Sequence, residues 1–200
     1  MSGDAARSLD PRFPNLDPAV VDAWRNAPEN VVAEIIAGEL SLMPRPRRRH
    51  ARTSSRLGAR LAGFDDPREG DPGGWIILDE PELELGPKPD VLIPDLAGWR
   101  RERCPPGFFG DAEDLSLAPD WVCEVLSPST TRTDRHRKLP IYHREGVGHA
   151  WLIDPIAHTL EVFRHAPDGW LLVATFDGAE PVQAEPFDAL ALDLTSLWAE

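Results

Sequence analysis

Apolar residues in this sequence recur in short runs that are separated by prolines, glycines and charged residues. Short apolar runs bounded by turn-forming residues are typical of β-strands. On this pattern we predict strands at 31–36, 40–43, 75–78, 82–85, 89–94, 121–126, 150–154, 159–164 and 170–176. The first two are expected to form a hairpin through Gly38-Glu39. The run 121–126 is apolar apart from one acid, which favours a central strand buried on both faces.

Helical signals lie between the predicted strands. Asp17 is a good N-cap and Pro18 fits a first helical turn. Leu57 and Leu61 are four positions apart, which places them on one core-facing side of a helix. Pro140 is expected to bend the helix that contains it. The predicted helices cover 17–26, 48–64, 133–145 and 190–198, and 97–119 is predicted to be a long loop.

Strands that alternate with helices predict an α/β fold. We expect a central mixed β-sheet flanked by helices, followed by antiparallel C-terminal strands. Three prolines within the first 18 residues suggest an N-terminal arm at 1–18, with a single domain at 19–200.

The charge is strongly acidic and uneven. The 200 residues include 34 acids against 21 lysines and arginines, a net charge of −13. That balance argues against a general nucleic-acid coat protein or a membrane-surface binder. Two stretches are basic, because residues 45–60 hold seven arginines and no acid, and residues 132–138 have a net charge of +3. These stretches are either ordinary solvated surface or a local binding site for a polyanion.

Several classes of protein find no support in the sequence. No apolar run is long enough for a membrane span, and the first residues lack the apolar core of a signal peptide. Cys104 and Cys123 are the only cysteines, which excludes a disulfide framework and fits a cytoplasmic protein. HExxH, P-loop and GxSxG motifs are missing, so protease, NTPase and serine-hydrolase functions lack a signature.

Candidate chemistry centres on Glu124, inside the apolar run WVCEVL. A carboxylate out of water costs several kcal/mol unless it is paired or binds a metal. Asp90 opens another apolar strand, and two carboxylates from adjacent strands suit Mg²⁺ or Mn²⁺. Lys138, on the helix after Glu124, is placed to neutralise a phosphate. The alternatives are a Glu124 that lies at a sheet edge or pairs with a nearby arginine, a turn residue at Asp90 and a surface lysine at Lys138.

Several motifs of the sequence match those of a known protein family. The elements are Pro89-Asp90, the run EVLSPST at 124–130, and Asp134-Arg135-x-x-Lys138 leading into Lys-Leu-Pro-x-Tyr and Glu-Gly-Val. Together with EIIAGELSLMPRP at 34–46 and His50, the sequence resembles the Uma-type restriction endonuclease family of the PD-(D/E)XK nuclease superfamily. The resemblance covers about 31–163. It implies a restriction-endonuclease-like core.

The resemblance also implies roles for individual residues. Asp90 would be the first metal-binding aspartate and Glu124 the second acid, together holding Mg²⁺ or Mn²⁺. The superfamily lysine normally follows two positions after that acid, where this chain has Leu126, so Lys138 would replace it. An additional acid would be Glu39, the closer match, or Glu34. His50 matches a family histidine and would be a supporting residue.

These roles imply a Mg²⁺-dependent endonuclease that hydrolyses DNA, and the resemblance implies a homodimer. Contacts with DNA phosphates are expected from Arg48, Arg49, Arg52, Arg56 and Arg135. The net charge of −13 speaks against strong duplex binding. An interaction or dimerisation module that keeps the nuclease fold without catalysis is therefore the alternative, with aromatic residues supplying a partner surface.

Overall fold

The strands of the molecule assemble into two sheets. A computed structural model describes residues 12–108 and 115–199. The described strands are β1 (Val31–Ile36), β2 (Glu39–Pro44), β3 (Trp75–Asp79), β4 (Leu83–Leu85), β5 (Asp90–Leu92), β6 (Leu96–Arg100), β7 (Trp121–Val125), β8 (His149–Asp154), β9 (Thr159–Ala166) and β10 (Gly169–Phe176). The described helices are α1 (Pro18–Arg25), α2 (Arg48–Asp65), α3 (Thr131–Thr133), α4 (Leu139–Arg144) and α5 (Thr195–Trp198), with a 3₁₀ turn at Arg101–Arg103 and a π-helical stretch at Asp134–Lys138.

The larger sheet has six strands in the order β10–β9–β8–β7–β6–β3. β7 and β8 are parallel, and the other neighbouring pairs are antiparallel. A parallel pair needs a crossover, which the helical segment 131–144 provides. This mixed sheet, with antiparallel strands at its C-terminal side, confirms the predicted α/β architecture.

The smaller sheet is antiparallel, in the order β2–β1–β5–β4. Its β1–β2 hairpin confirms the predicted one, but the turn lies one residue earlier, at Ala37-Gly38. Both turn residues have positive φ, 56° and 78°, as a two-residue hairpin turn that matches strand twist requires. Glycine adopts this conformation without strain.

A three-residue connection joins the two sheets. β5 belongs to the smaller sheet and β6 to the larger one, and only residues 93–95 separate them. β6 lies antiparallel to β7, with Leu96 opposite Cys123. The connection is therefore held at the end of β7, where Glu124 lies.

The prediction of a long loop at 97–119 was wrong, because Leu96–Arg100 forms β6. Ala97 and Gly98 weakened the strand pattern, since strand propensity favours larger side chains. Gly98 is needed here because a Cβ atom would lie 3.2 Å from the Trp121 ring and 3.3 Å from the Trp75 ring. Part of the predicted loop, 109–114, lies outside the described residues.

The helical segment between β7 and β8 changes its hydrogen-bond pattern directly before Pro140. Residues Asp134–Lys138 form a π-helical stretch between α3 and α4. A proline has no N–H, and its ring clashes with the carbonyl group four residues earlier. A wider helical turn relieves that clash, and such turns are frequent at functional sites. The distortion predicted at Pro140 is thus a widened helical turn directly before the proline. Asp134 and Lys138, whose side chains are buried, lie in this turn.

Apolar side chains cover both faces of the larger sheet. On one face Phe187 contacts four rings of the core, those of Phe64, Trp75, Trp121 and Trp151, at centroid distances of 4.8–5.6 Å. On the other face the strands of the smaller sheet and α4 pack together with Val122, Leu126 and Leu152. The central strand β7 is buried along its whole length. A charged group on β7 therefore has little access to solvent.

The part of the predicted arm that the structure describes packs on the smaller sheet. Phe13 and Leu16 are buried with Val21 of α1, Ile35 of β1 and Val91 of β5. Residues 1–11 lie outside the described part of the chain. None of the helices within 12–108 and 115–199 is long and apolar enough to span a bilayer.

Two alanine substitutions test the close packing of β6. Gly98→Ala is expected to lower the free energy of unfolding by about 1–3 kcal/mol, because two buried rings must shift. Gly58→Ala on α2 is the matched control, since its Cβ would lie at an ordinary 3.7 Å from Leu96. Removing a helical glycine is expected to stabilise by about 0.5–1 kcal/mol. Urea denaturation of both variants measures the difference, and equal effects would contradict it.

Candidate active site

Glu124 lies near the end of β7 with its side chain between the two sheets. Only 3% of the residue is exposed to solvent. The hydroxyl group of Tyr142 on α4 donates a hydrogen bond to Glu124 Oε1 at 2.6 Å. The ammonium group of Lys138 lies 2.8 Å from the same oxygen. The predicted buried carboxylate is therefore paired, and its partner is a lysine rather than an arginine.

Lys138 is itself buried, with 2% of its surface exposed. Its Nζ also lies 3.0 Å from Glu34 Oε1 and 3.2 Å from the carbonyl oxygen of Ile93. The backbone N–H of Ile93 donates to the same Glu34 oxygen at 2.7 Å. The ammonium group thus donates a hydrogen bond to the Ile93 carbonyl and forms ion pairs with Glu124 and Glu34. Lys138 thus binds β1, β7 and the β5–β6 connection at one point.

Asp95, which the sequence analysis did not select, belongs to the same site. It directly precedes β6, and extending the β6–β7 register by one residue places it opposite Glu124. One of its oxygens accepts a hydrogen bond from the backbone N–H of Val125 at 2.7 Å. Nε2 of His50, on α2, lies 3.2 Å from the other oxygen. The sequence signal that could have identified Asp95 is a second Pro-Asp pair, Pro94-Asp95, five residues after Pro89-Asp90.

A cavity of about 460 Å³ opens onto this cluster. Asp95, Glu124, Asp134 and Lys138 face it, and His50 forms part of its wall. Glu34 is not among the lining residues and contacts Lys138 from behind. The cavity thus presents two carboxylates from neighbouring strands beside a fixed ammonium group.

Comparison with known proteins identifies the family of this chain. The family profile Uma2, described as "Putative restriction endonuclease", matches residues 21–195. The chain belongs to the Uma2 family. This confirms the resemblance that was drawn from EVLSPST and the lysine that follows it.

A solved structure shares the fold of this Uma2 protein. It is described as "a putative nuclease belonging to DUF820" from Anabaena variabilis ATCC 29413. The superposition has a TM-score of 0.70 with 24% sequence identity, and it covers 90% of this chain and 97% of that chain. At this identity the likeness establishes the fold alone. None of the curated proteins compared matches the sequence.

The structure does not bring Asp90 to the cavity. Its carboxylate accepts a hydrogen bond from the backbone N–H of Ala37 and pairs with Arg144 at 2.7 Å. Asp90 begins β5 in the smaller sheet, whereas Glu124 belongs to the larger one. In this geometry Asp90 fixes the β1–β2 turn against α4, and Asp95 occupies the place beside Glu124.

The two candidates for an additional acid lie in different environments. Glu34 is fully buried against Lys138. Glu39 is exposed and pairs with Arg137 at 2.8 Å on the surface. Glu34 lies on β1 and Glu39 on β2, and only Glu34 is buried. Glu34 is therefore the one that the structure joins to the cluster.

The arginines selected from the sequence divide into two groups. Arg48 and Arg49 are exposed near the start of α2 and, within the described residues, form no ion pair or side-chain hydrogen bond. Arg52 and Arg56 bind backbone carbonyl groups of the C-terminal segment, including Ala199 O at 3.0 and 2.8 Å. Arg135 pairs with Glu161. The second group is thus already engaged within the protein.

The cluster holds more negative than positive charge. Burial raises the pKa of Glu124 well above its usual range, against the opposing ammonium group of Lys138. Burial likewise raises the pKa of Asp134 to about 6. For Lys138, burial lowers the pKa, but Glu124 and Glu34 outweigh burial and hold it well above its usual value. For His50, burial also lowers the pKa, and the contact with Asp95 outweighs it to leave the pKa raised.

These residues fit a divalent cation. Within residues 12–108 and 115–199, no three His, Cys, Asp or Glu side chains are already grouped as metal ligands. Mg²⁺, however, is commonly bound through only one or two carboxylates and otherwise by water and substrate phosphate. Asp95 and Glu124 supply two carboxylates with hard oxygen donors. The other Glu34 oxygen, Oε2, is buried without a hydrogen-bond partner in the described structure.

The raised pKa of Asp134 predicts a pH-dependent loss of stability in metal-free protein. The folded state favours protonated Asp134, so this contribution is fully present below about pH 4 and is lost as pH rises through about 6. The change from 3.8 to about 6 corresponds to about 3 kcal/mol. Asp134→Asn removes it. Wild type should therefore lose stability relative to the variant between pH 4 and 7, as measured by urea denaturation in EDTA, and a constant difference would contradict this.

Proposed function

We propose that this Uma2 protein is a divalent-metal-dependent endonuclease that hydrolyses DNA phosphodiester bonds at Asp95, Glu124 and Lys138. The observation that supports this proposal best is the buried ammonium group of Lys138. It lies 2.8 Å from Glu124 and lines a cavity that Asp95 also faces. The family description supports a nuclease activity. The proposal keeps Glu124 and Lys138 from the sequence analysis and replaces Asp90 with Asp95.

The residues of the chain have distinct tasks in this mechanism. Asp95 and Glu124 would hold Mg²⁺ or Mn²⁺, which when bound would offset the charge that develops on the phosphate. Val125 N–H and His50 fix both oxygens of Asp95, so His50 acts as a positioning residue. Lys138 stays protonated and keeps the side chain of Glu124 in place. Since its ammonium group is buried and already engaged by Glu124, Glu34 and the Ile93 carbonyl, its contribution is a fixed charge rather than a free donor.

DNA binding is assigned to the basic segment before and at the start of α2. Arg45, Arg47 and Arg49 line the cavity opening. Guanidinium groups recognise phosphate through charge and paired N–H donors. Such contacts position the strand without reading its sequence. A homodimer and a cytoplasmic location remain predictions that follow from the resemblance and the cysteine content.

Three isosteric variants test the assignment of the acids. Asp95→Asn and Glu124→Gln are each expected to lower the rate of cleavage of plasmid or single-stranded DNA in Mn²⁺ by about 100-fold or more, because each removes a charge that the transition state needs. Asp90→Asn is expected to retain activity, since Asp90 contacts Ala37 and Arg144 outside the cavity. Circular dichroism checks that each variant is folded. Loss of activity in Asp90→Asn alone would contradict the assignment.

Metal binding is measurable without any nuclease assay. A cation that binds only the folded state stabilises it by about 2.7 kcal/mol at 100 times its Kd, which corresponds to a Tm rise of about 5 °C or more. We expect this rise with Mg²⁺ or Mn²⁺ in wild type and its loss in Asp95→Asn. Asp90→Asn is the control and should respond like wild type.

An interaction module without catalysis is the competing function. It predicts no Tm response to either metal and no nicking above the level of the Glu124→Gln variant. DNA cleavage that depends on both the metal and Glu124 would exclude it.

A further inference from the structure

The depth of the proposed centre restricts the form of DNA that reaches it. Glu124 and Lys138 are 3% and 2% exposed, and Asp95 is 9% exposed. A phosphate contacts them only by entering the cavity of about 460 Å³. That volume is typical of pockets for small molecules, and it suits a nucleotide rather than a double helix.

Two groups of lining residues differ in character. The segment 43–49 contributes prolines and the basic side chains of Arg45, Arg47 and Arg49. The loop 127–130 and the β8–β9 turn contribute a second group, which includes Pro155 and Ile156. Ile156 is an exposed apolar side chain, with 56% of its surface accessible. Apolar walls beside guanidinium groups suit a base and its phosphate together.

We propose that the substrate enters this cavity as an unpaired DNA strand, with a base against the apolar wall and a phosphate at the Asp95–Glu124–Lys138 centre. This inference rests on the proposed nuclease function. In an intact duplex each base is stacked and paired, so a base reaches the cavity wall only after its nucleotide leaves the stack. Single strands, overhangs and bulges need no such unstacking.

The charge distribution supports the same substrate. Binding of duplex DNA depends on many phosphate contacts along a basic face, whereas this chain has a net charge of −13. Arg47 and Arg49 stand at the opening without an ion-pair partner among the described residues. Single strands are usually bound by a basic groove together with side chains on which the bases stack, most often aromatic ones. In this cavity Pro155 and Ile156 would take the place of those rings. The local charge thus suits one strand better than two.

A competition experiment tests the form of the DNA. A fluorescent single-stranded oligonucleotide is bound to wild-type protein in EDTA and in Ca²⁺, and is displaced by three unlabelled competitors. The first competitor is the same single strand. The second is a duplex whose two ends are each closed by a non-nucleotide linker, so that it contains no unpaired nucleotides. The third is that closed duplex with a bulge of unpaired nucleotides. We expect the single strand and the bulged duplex to compete at least about tenfold better than the closed duplex. In Mn²⁺, cleavage should map to the unpaired nucleotides.

A variant of the cavity wall tests the location. Ile156→Ala is expected to weaken single-strand binding about fivefold, because a base loses its apolar contact. Leu171→Ala on β10 is the matched control, since Leu171 is similarly exposed, at 48%, and does not line the cavity. Equal loss in both variants, or none in either, would overturn the assignment of the wall.

The outcomes separate this inference from the proposed function. Binding and metal-dependent cutting of the closed duplex at the level of the single strand would leave the nuclease function standing and overturn the unpaired-strand substrate. Absence of binding and of cutting with every form of DNA would overturn both.

Discussion

The buried ammonium group of Lys138 is the interaction on which the site depends. It is held by Glu34 of β1, Glu124 of β7 and the Ile93 carbonyl of the connection between the sheets. Removing one member of such a buried ion pair typically costs about 3–5 kcal/mol, because the other charge remains without compensation. The sheets are therefore fixed to each other at the point where the chemistry is proposed. The same contacts therefore stabilise the fold and fix the geometry of the site.

The same cluster carries a charge imbalance that defines its chemistry. One lysine faces several carboxylates in a region of low solvent access, and burial shifts the pKa of Glu124 and Asp134 upward. Such an imbalance is relieved by protons at low pH or by a cation at neutral pH. A cation, unlike a proton, also attracts phosphate. The excess of acid that destabilises the metal-free protein is thus what would make it a receptor for metal and DNA.

The sequence predicted most of the fold because the strongest signals were local. The Asp17 cap, the Leu57–Leu61 spacing and the apolar run containing Glu124 each define their own element. β6 was missed because its glycine is required by two tryptophans from neighbouring strands, a contact that is invisible to local patterns. Asp90 was selected over Asp95 for a similar reason. Both follow a proline and precede apolar residues, and only the change of sheet between β5 and β6 distinguishes them.

That change of sheet also explains why the centre is deep. A carboxylate placed on a single open sheet would face solvent, but Asp95 lies at the junction where the smaller sheet covers the end of β7. The covering elements, β1 and the basic segment after β2, bring Glu34 to the cluster and the arginines to its entrance. One hairpin therefore supplies both the inner acid and the outer bases. In the proposed function, attraction of phosphate at the opening and its neutralisation at the floor would both be consequences of the same packing.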